Sequence, residues 1–173
     1  MKAKLLSFLL SIGIISIFAA GVFSQTKFKN PNVEYLFDLP TDSWKMTVKP
    51  SKYSPNVEYV YKFKKNGHLQ IRKMKVKKDS LYSEIIKEEE QKLQFVPGYV
   101  AGKQENFNGN YKGRVFNYEY VKSGRPMSGR FYFMRATPTT VYILRFKGRK
   151  ASLKTIRNET DSIVRTFSLK KAK

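Results

Sequence analysis

The residues of this sequence that are best able to do chemistry are basic, and they fall into two sets. The chain has 173 residues, with 34 Lys and Arg against 13 Asp and Glu, and a net charge of +21. The first set is Lys62, Lys64, Arg72, Lys73, Lys75, Lys77 and Lys78. If the two strands that carry this set pair as a hairpin, the set would form one anion-binding surface, because clustered positive charge attracts anions. The second set contains Arg145, Lys147, Arg149, Lys150, Lys154 and the C-terminal lysines.

Candidates for catalysis are few. The chain has no Cys and one His, which excludes thiol catalysis, disulfides, Cys-ligated zinc, iron–sulfur clusters and multi-His metal sites within one chain. His68 has no evident partners for a Ser-His-Asp arrangement, so we expect a surface histidine. Glu34, Asp38 and Asp42 are close in sequence and could do acid–base work or bind calcium, but no EF-hand spacing appears and Asp42 suits a turn. We predict no catalytic, metal or cofactor site.

Two other conspicuous features favour structural roles. The acidic run Glu88–Glu90 falls in a predicted helix and is expected to be a solvated face near Lys87 and Lys92. Trp44 could stack on a ligand, but a lone Trp beside a Leu-Pro turn is typical of core packing.

Alternating apolar and polar residues predict a sheet that would position these side chains. Two alternating runs flank Asn66-Gly67, which is a hairpin signal. Three more runs, separated by short turns, predict an antiparallel meander. A further strand is expected before them, turning at residues 108–110. The predicted strands cover residues 57–63, 69–76, 99–107, 115–121, 130–136 and 140–147.

Two amphipathic helices are predicted beside this sheet. The first begins near Asp79 or Ser80, either of which could cap it, and ends by Phe95 because Val96 precedes a proline. The second carries the apolar residues Leu153, Ile156, Ile163, Val164 and Phe167. Ile156 lies three positions after Leu153, and the other three lie seven, eight and eleven positions after Ile156, so all five lie on one helical face. Strand runs interrupted by two helices indicate the α+β class, with an antiparallel sheet flanked by helices.

The N-terminal residues predict an exported protein. Residues 1–24 have a basic start, an apolar stretch and a possible cut before Gln25, as in a secretory signal peptide; an uncleaved membrane anchor is the alternative. Removal of this leader would leave 32 basic and 13 acidic residues, a net charge of +19. We expect a lead-in over residues 25–31, one domain over residues 32–169 and a basic tail over residues 170–173. The expected location is periplasmic or secreted.

One pattern resembles a known family. The segment YLFDLP (residues 35–40) followed by TDSW (residues 41–44) resembles the opening of PsbP-like (Mog1/PsbP/DcrB) domains, and the order hairpin, helix, meander and closing helix agrees. The resemblance implies an α/β/α sandwich of the Mog1/PsbP type and a non-enzymatic accessory or binding role. It supplies no catalytic residues. A photosystem role is not transferred, since nothing in the sequence marks such a partner.

These expectations lead to a hypothesis about function. The protein would be an exported, non-catalytic binding or accessory protein that presents a basic surface to an anionic envelope component or an acidic protein. Peripheral membrane contact would fit the charge. An enzyme using carboxylates and hydroxyls is one alternative. A sheet-based nucleic-acid binder is another, since Tyr and Phe interleave with basic residues, although export argues against a nucleic-acid partner.

Overall fold

The computed structural model describes residues 25–63 and 66–170. The predicted leader (residues 1–24), Lys64 and the last three residues of the predicted tail lie outside these ranges. Lys170, predicted to begin a solvated tail, is instead tied to the domain. Its backbone N–H donates to the carbonyl of Glu34 at 2.7 Å and its Nζ donates to the carbonyl of Asn30 at 2.6 Å.

A seven-stranded antiparallel sheet forms the centre of the fold. Its strands are ordered β3-β4-β5-β9-β8-β7-β6. The predicted hairpin is the β4–β5 pair, and the predicted meander is β6 to β9. The strand bounds are β3 Trp44–Val48, β4 Val57–Tyr61, β5 His68–Lys75, β6 Val100–Asn108, β7 Lys112–Lys122, β8 Arg125–Thr137 and β9 Thr140–Arg149.

A small three-stranded sheet packs against one face of the large one. It is ordered β1-β2-β10, with β1 at Thr26–Lys29, β2 at Tyr35–Leu39 and β10 at Ser168–Leu169. The segment treated as a lead-in therefore supplies a strand, and Phe28 from it is buried against the ring of Phe37 at a centroid distance of 4.6 Å. The sequence signal was weak because the other three residues of β1 are exposed.

Within the described ranges, three helices complete the fold: α1 Tyr82–Gln91, α2 Lys150–Thr155 and α3 Arg157–Thr166. Neither Asp79 nor Ser80 caps α1. Its N-cap is Leu81, whose N–H donates to the Glu84 side chain at 2.9 Å. The predicted closing helix is two helices, because Ile156 leaves the helical conformation between them (φ −91°, ψ 16°). Among the described residues, no helix combines the length and apolar character needed to cross a membrane.

The large sheet has a buried core on each face. The small sheet, α2 and α3 cover one face, where Tyr35, Ile71, Tyr142 and Phe167 pack together. Helix α1 covers part of the other face, where Ile85 and Ile86 join a cluster that includes Phe116, Phe133 and Ile143. Trp44 is buried in the first core, as predicted. The predicted α+β class, with an antiparallel sheet between helical layers, is confirmed.

Candidate anion-binding site

The structure separates the predicted anion-binding residues along the β4–β5 hairpin. Strand β5 pairs His68 with Val60, so Lys62 follows β4 at the turn end of the hairpin. Lys73 and Lys75 lie at the other end of β5, and Lys77 and Lys78 follow them. Seven residue steps at about 3.3 Å each put roughly 23 Å between His68 and Lys75. Lys62 and the later lysines therefore do not form one surface.

Neighbouring residues of the predicted set also point to opposite faces of the sheet. Arg72 reaches α1, where its Nη2 lies 2.5 Å from Oε2 of Glu89. Lys73 lies on the other face and pairs with Glu34, which also accepts a hydrogen bond from the Tyr142 hydroxyl at 2.5 Å. Burial alone would raise the pKa of Glu34, but these two hydrogen bonds hold it below its usual value. The division follows from the two-residue period of a strand.

Two of the remaining predicted lysines lie among acidic residues. Lys75 and Lys77 line a surface depression beside the start of α1. Asp79, Glu84 and Glu88 line the same depression. Opposite charges so close together lower the net positive potential that an approaching anion would meet.

A concentration of positive charge with no acidic residue in its lining lies at the opposite end of the sheet. Here Lys122, Arg125, Lys147 and Arg149 surround Tyr120 and Met127 in a depression of about 370 Å³. No acidic residue lines it, and Lys122, Arg125 and Arg149 form no ion pair with any acidic residue in the described part of the chain. We call this depression the basic groove. Lys147 and Arg149 belong to the second basic set of the sequence.

The β7–β8 turn and the strand pairing place the basic residues of the groove next to each other. Ser123 and Gly124 both have positive φ (50° and 70°), which gives the tight turn that joins β7 to β8. This turn puts Lys122 opposite Arg125. One cross-strand row then runs from Tyr120 through Met127 to Arg149. Antiparallel pairing therefore collects cations that lie more than 20 residues apart in sequence.

Aromatic rings continue from the basic groove into the core. Tyr120 stacks on Tyr118 at a centroid distance of 5.8 Å. Arg145 lies over Phe131, 5.0 Å from the ring centroid, and its Nε donates to the Tyr118 hydroxyl at 2.9 Å. Burial raises the pKa of Tyr120, with Arg145 opposing that effect, so the hydroxyl stays neutral at ordinary pH. The groove is positively charged, and stacked aromatic rings lie beneath it.

The other residues considered for chemistry do not converge on a cavity. His68 is buried, at 3% exposed, and its Nε2 lies 2.8 Å from Oε2 of Glu58; the expectation of a surface histidine is wrong, because β4 and β9 flank β5. Asp38 donates its N–H to the Thr166 hydroxyl at 2.9 Å. His68, Asp38 and Asp42 do not line any of the three cavities described for residues 25–63 and 66–170, and no group of three potential metal ligands occurs among these residues.

Comparison with known proteins identifies the fold. No protein-family model and no curated protein matches the sequence. The cyanobacterial PsbP of Synechocystis sp. (CyanoP) matches with a TM-score of 0.57 and 13% identity, over 91% of this chain and 99% of its own. LpqN of Mycobacterium tuberculosis, involved in cell envelope biogenesis, matches with a TM-score of 0.53 and 15% identity, over 84% and 91%. This chain has the PsbP/Mog1-like fold.

A third solved structure is also similar to this chain. PA94 of Pseudomonas aeruginosa, a protein of unknown function, has a TM-score of 0.54 and 12% identity, over 86% of this chain and 99% of its own. The predicted resemblance to PsbP-like domains is thus confirmed at the level of the fold. A shared fold does not determine function, so the role of this PsbP/Mog1-like chain has to be argued from its own side chains.

The aromatic row that suggested nucleic-acid binding is mostly internal in the PsbP/Mog1-like fold. Phe116 and Tyr118 are buried in the core beneath α1, and only Tyr120 is partly exposed. Sheet-based RNA binders use open aromatic rings to stack bases. Core packing therefore accounts for the one-face spacing of these three residues.

Proposed function

We propose that this protein is an exported, non-catalytic binding or accessory protein that holds an anionic component of the cell envelope in the basic groove. The observation that carries the proposal is the groove itself: four cations line it and no acidic residue does. The apolar leader predicted for residues 1–24 supports export. The fold shared with LpqN, a protein of cell envelope biogenesis, supports an envelope role.

Anionic phospholipid is the partner that this surface suits best. Lys122 and Arg125 are exposed at the tip of a hairpin, where they can reach a flat surface without distortion of the sheet. Each basic residue close to an anionic membrane contributes about 1 kcal/mol of attraction. Because the cations are solvated, salt should weaken the interaction.

A charge-matched pair of variants tests the proposal. In the groove variant, Lys122, Arg125 and Arg149 are replaced by Gln. In the control variant, Lys75, Lys77 and Lys78 are replaced by Gln, which removes the same charge from the other end of the sheet. Binding of residues 25–173 to vesicles of phosphatidylglycerol and phosphatidylcholine is measured by co-sedimentation at low salt. We expect the groove variant to bind at least tenfold more weakly and the control to lose less than threefold.

Two results would contradict this model. An equal loss in both variants would show that only net charge matters. Equal binding of the unsubstituted protein to vesicles of phosphatidylcholine alone would show that anionic lipid is not the partner. Circular dichroism of all three proteins verifies that the substitutions leave the fold intact.

A further inference from the structure

Another cavity lies on the opposite face of the sheet from the basic groove. It has a volume of about 490 Å³ and is enclosed by β6, β7 and β8 on one side and by α2 and the start of α3 on the other. We call it the Arg130 pocket, after the residue at its floor. The size is within the range of about 300–1,000 Å³ that is typical of small-molecule sites.

The floor of the pocket contains an incompletely neutralised cation. Arg130 is only 7% exposed, and its Nε and Nη1 atoms are buried without a hydrogen-bond acceptor among the described residues. Nη1 lies 3.2 Å from Oδ1 of Asp161, within ion-pair range but outside hydrogen-bond geometry. That carboxylate oxygen already accepts a hydrogen bond from the Tyr132 hydroxyl. A buried charge with so few partners is costly unless another group neutralises it.

The rim of the pocket adds further positive charge. Lys150, Lys154 and Arg157 line it from the helices, whereas Glu119 is the one acidic residue that lines it. Glu119 pairs with Lys150 at 2.7 Å. Arg157 has only a distant contact with Glu105, at 3.8 Å, and Lys154 pairs with no acidic residue in the described part of the chain. Arg130 and the rim therefore leave an excess of positive charge.

Part of the wall of the pocket is apolar. Leu153 lines it from α2, and Val100 and Ala101 line it from β6. The register of β6 shifts between Ala101 and Gln104, so this strand is irregular where it borders the cavity. Gly102 lies at the shift, and a Cβ there would stand 2.6 Å from the carbonyl oxygen of Asn117. Only glycine lets β6 approach β7 this closely, and irregularities of this kind are common beside binding sites.

We propose that the Arg130 pocket binds a small organic anion with a carboxylate or phosphate head and a short apolar body. The head would neutralise Arg130 and the rim cations, since guanidinium groups recognise carboxylate and phosphate oxygens in preference to other groups. The apolar body would lie against Val100, Ala101 and Leu153. The site does not depend on the basic groove, because Arg130 and the groove lie on opposite faces of the sheet.

Octanoate and octyl phosphate test the proposal, because they share an apolar body and differ in the head group. Octanol, which lacks the charge, is the matched neutral probe. Binding to residues 25–173 is followed by NMR titration of backbone amides. We expect at least one anion to bind with a Kd below 1 mM, to shift amides of β6, β8 and α2, and to bind at least tenfold more tightly than octanol. The anion that binds identifies the head group.

Two variants show whether Arg130 and the rim are responsible. Arg130→Met should weaken binding of the anion at least tenfold. Lys154→Gln combined with Arg157→Gln should weaken it at least threefold, and these exposed side chains keep the test valid if Arg130→Met does not fold. Lys75→Gln combined with Lys77→Gln should leave binding unchanged. The proposal is overturned if neither anion binds, if octanol binds as tightly, or if the rim variant binds like the unsubstituted protein.

Discussion

Replacing Phe167 with Ala is expected to lower the free energy of unfolding by about 3–5 kcal/mol, the usual cost of removing a buried phenylalanine ring. Phe167 is fully buried at the end of α3. Its ring lies 5.4 Å from that of Tyr35 and 5.1 Å from that of Tyr142, measured between centroids. The Phe167 side chain therefore packs the closing helix against both the small sheet and the large sheet. Urea denaturation followed by far-UV circular dichroism measures the change.

A matched control separates burial from residue type. Phe95→Ala makes the same chemical change at a side chain that is 92% exposed, and we expect a change of less than about 0.5 kcal/mol. If the two variants had the same unfolding midpoint, the closing segment would not pack where the structure has it. A lower cooperativity in Phe167→Ala alone would instead show that the small sheet separates before the large one unfolds.

Much of the fold could be predicted from the sequence because its signals are local. Alternation along β4 and β5, with Asn66-Gly67 between them, determines a hairpin whatever surrounds it. The apolar stripe of Ile163 and Val164 requires a buried helical face in any fold. The break at Ile156 was not predictable in this way. Ile156 is itself buried, so the stripe continues through the break and conceals it.

The candidate sites were harder to predict because they depend on register and on long-range packing. The first basic set is close in sequence, but the β4–β5 register spreads it along the hairpin and alternation divides it between two faces. The basic groove joins cations of β7, β8 and β9, so the sequence showed only part of it, in the second basic set. Arg130 gave no signal, because its burial arises only when α2 and α3 pack over β8.

The ion pair between Arg72 and Glu89 shows that packing can give a charged residue a structural role that its sequence context does not predict. Arg72 was predicted to bind anions, and Glu89 was predicted to lie on a solvated helix face. Instead, Glu89 is 3% exposed, accepts from Arg72 and lies 2.7 Å from Nζ of Lys92. The expectation that the whole acidic run is solvated is therefore wrong for Glu89. The carboxylate ties α1 to β5, and we assign Arg72 a structural role.

Replacing Arg72 with Met is accordingly expected to destabilise the protein rather than to weaken anion binding. The substitution removes one of two cations from a buried carboxylate. Leaving a buried charge without its partner costs about 3–5 kcal/mol. Because Lys92 still reaches Glu89, we expect the free energy of unfolding to fall by about 3 kcal/mol. Thermal and urea unfolding measure the loss. Lys75→Met, at an exposed position of the same strand, should change stability by less than about 0.5 kcal/mol.

A double variant of Arg72 and Glu89 distinguishes an unpaired buried charge from a loss of side-chain packing. If the cost of Arg72→Met comes from the unpaired Glu89 carboxylate, then Arg72→Met combined with Glu89→Met removes both charges and should be more stable than Arg72→Met alone. If the cost comes from packing of the Arg72 stem, the second substitution cannot restore it. A double variant no more stable than Arg72→Met would show that charge does not hold α1 on the sheet. Apolar contacts of Ile85 and Ile86 would then be sufficient to hold the helix there.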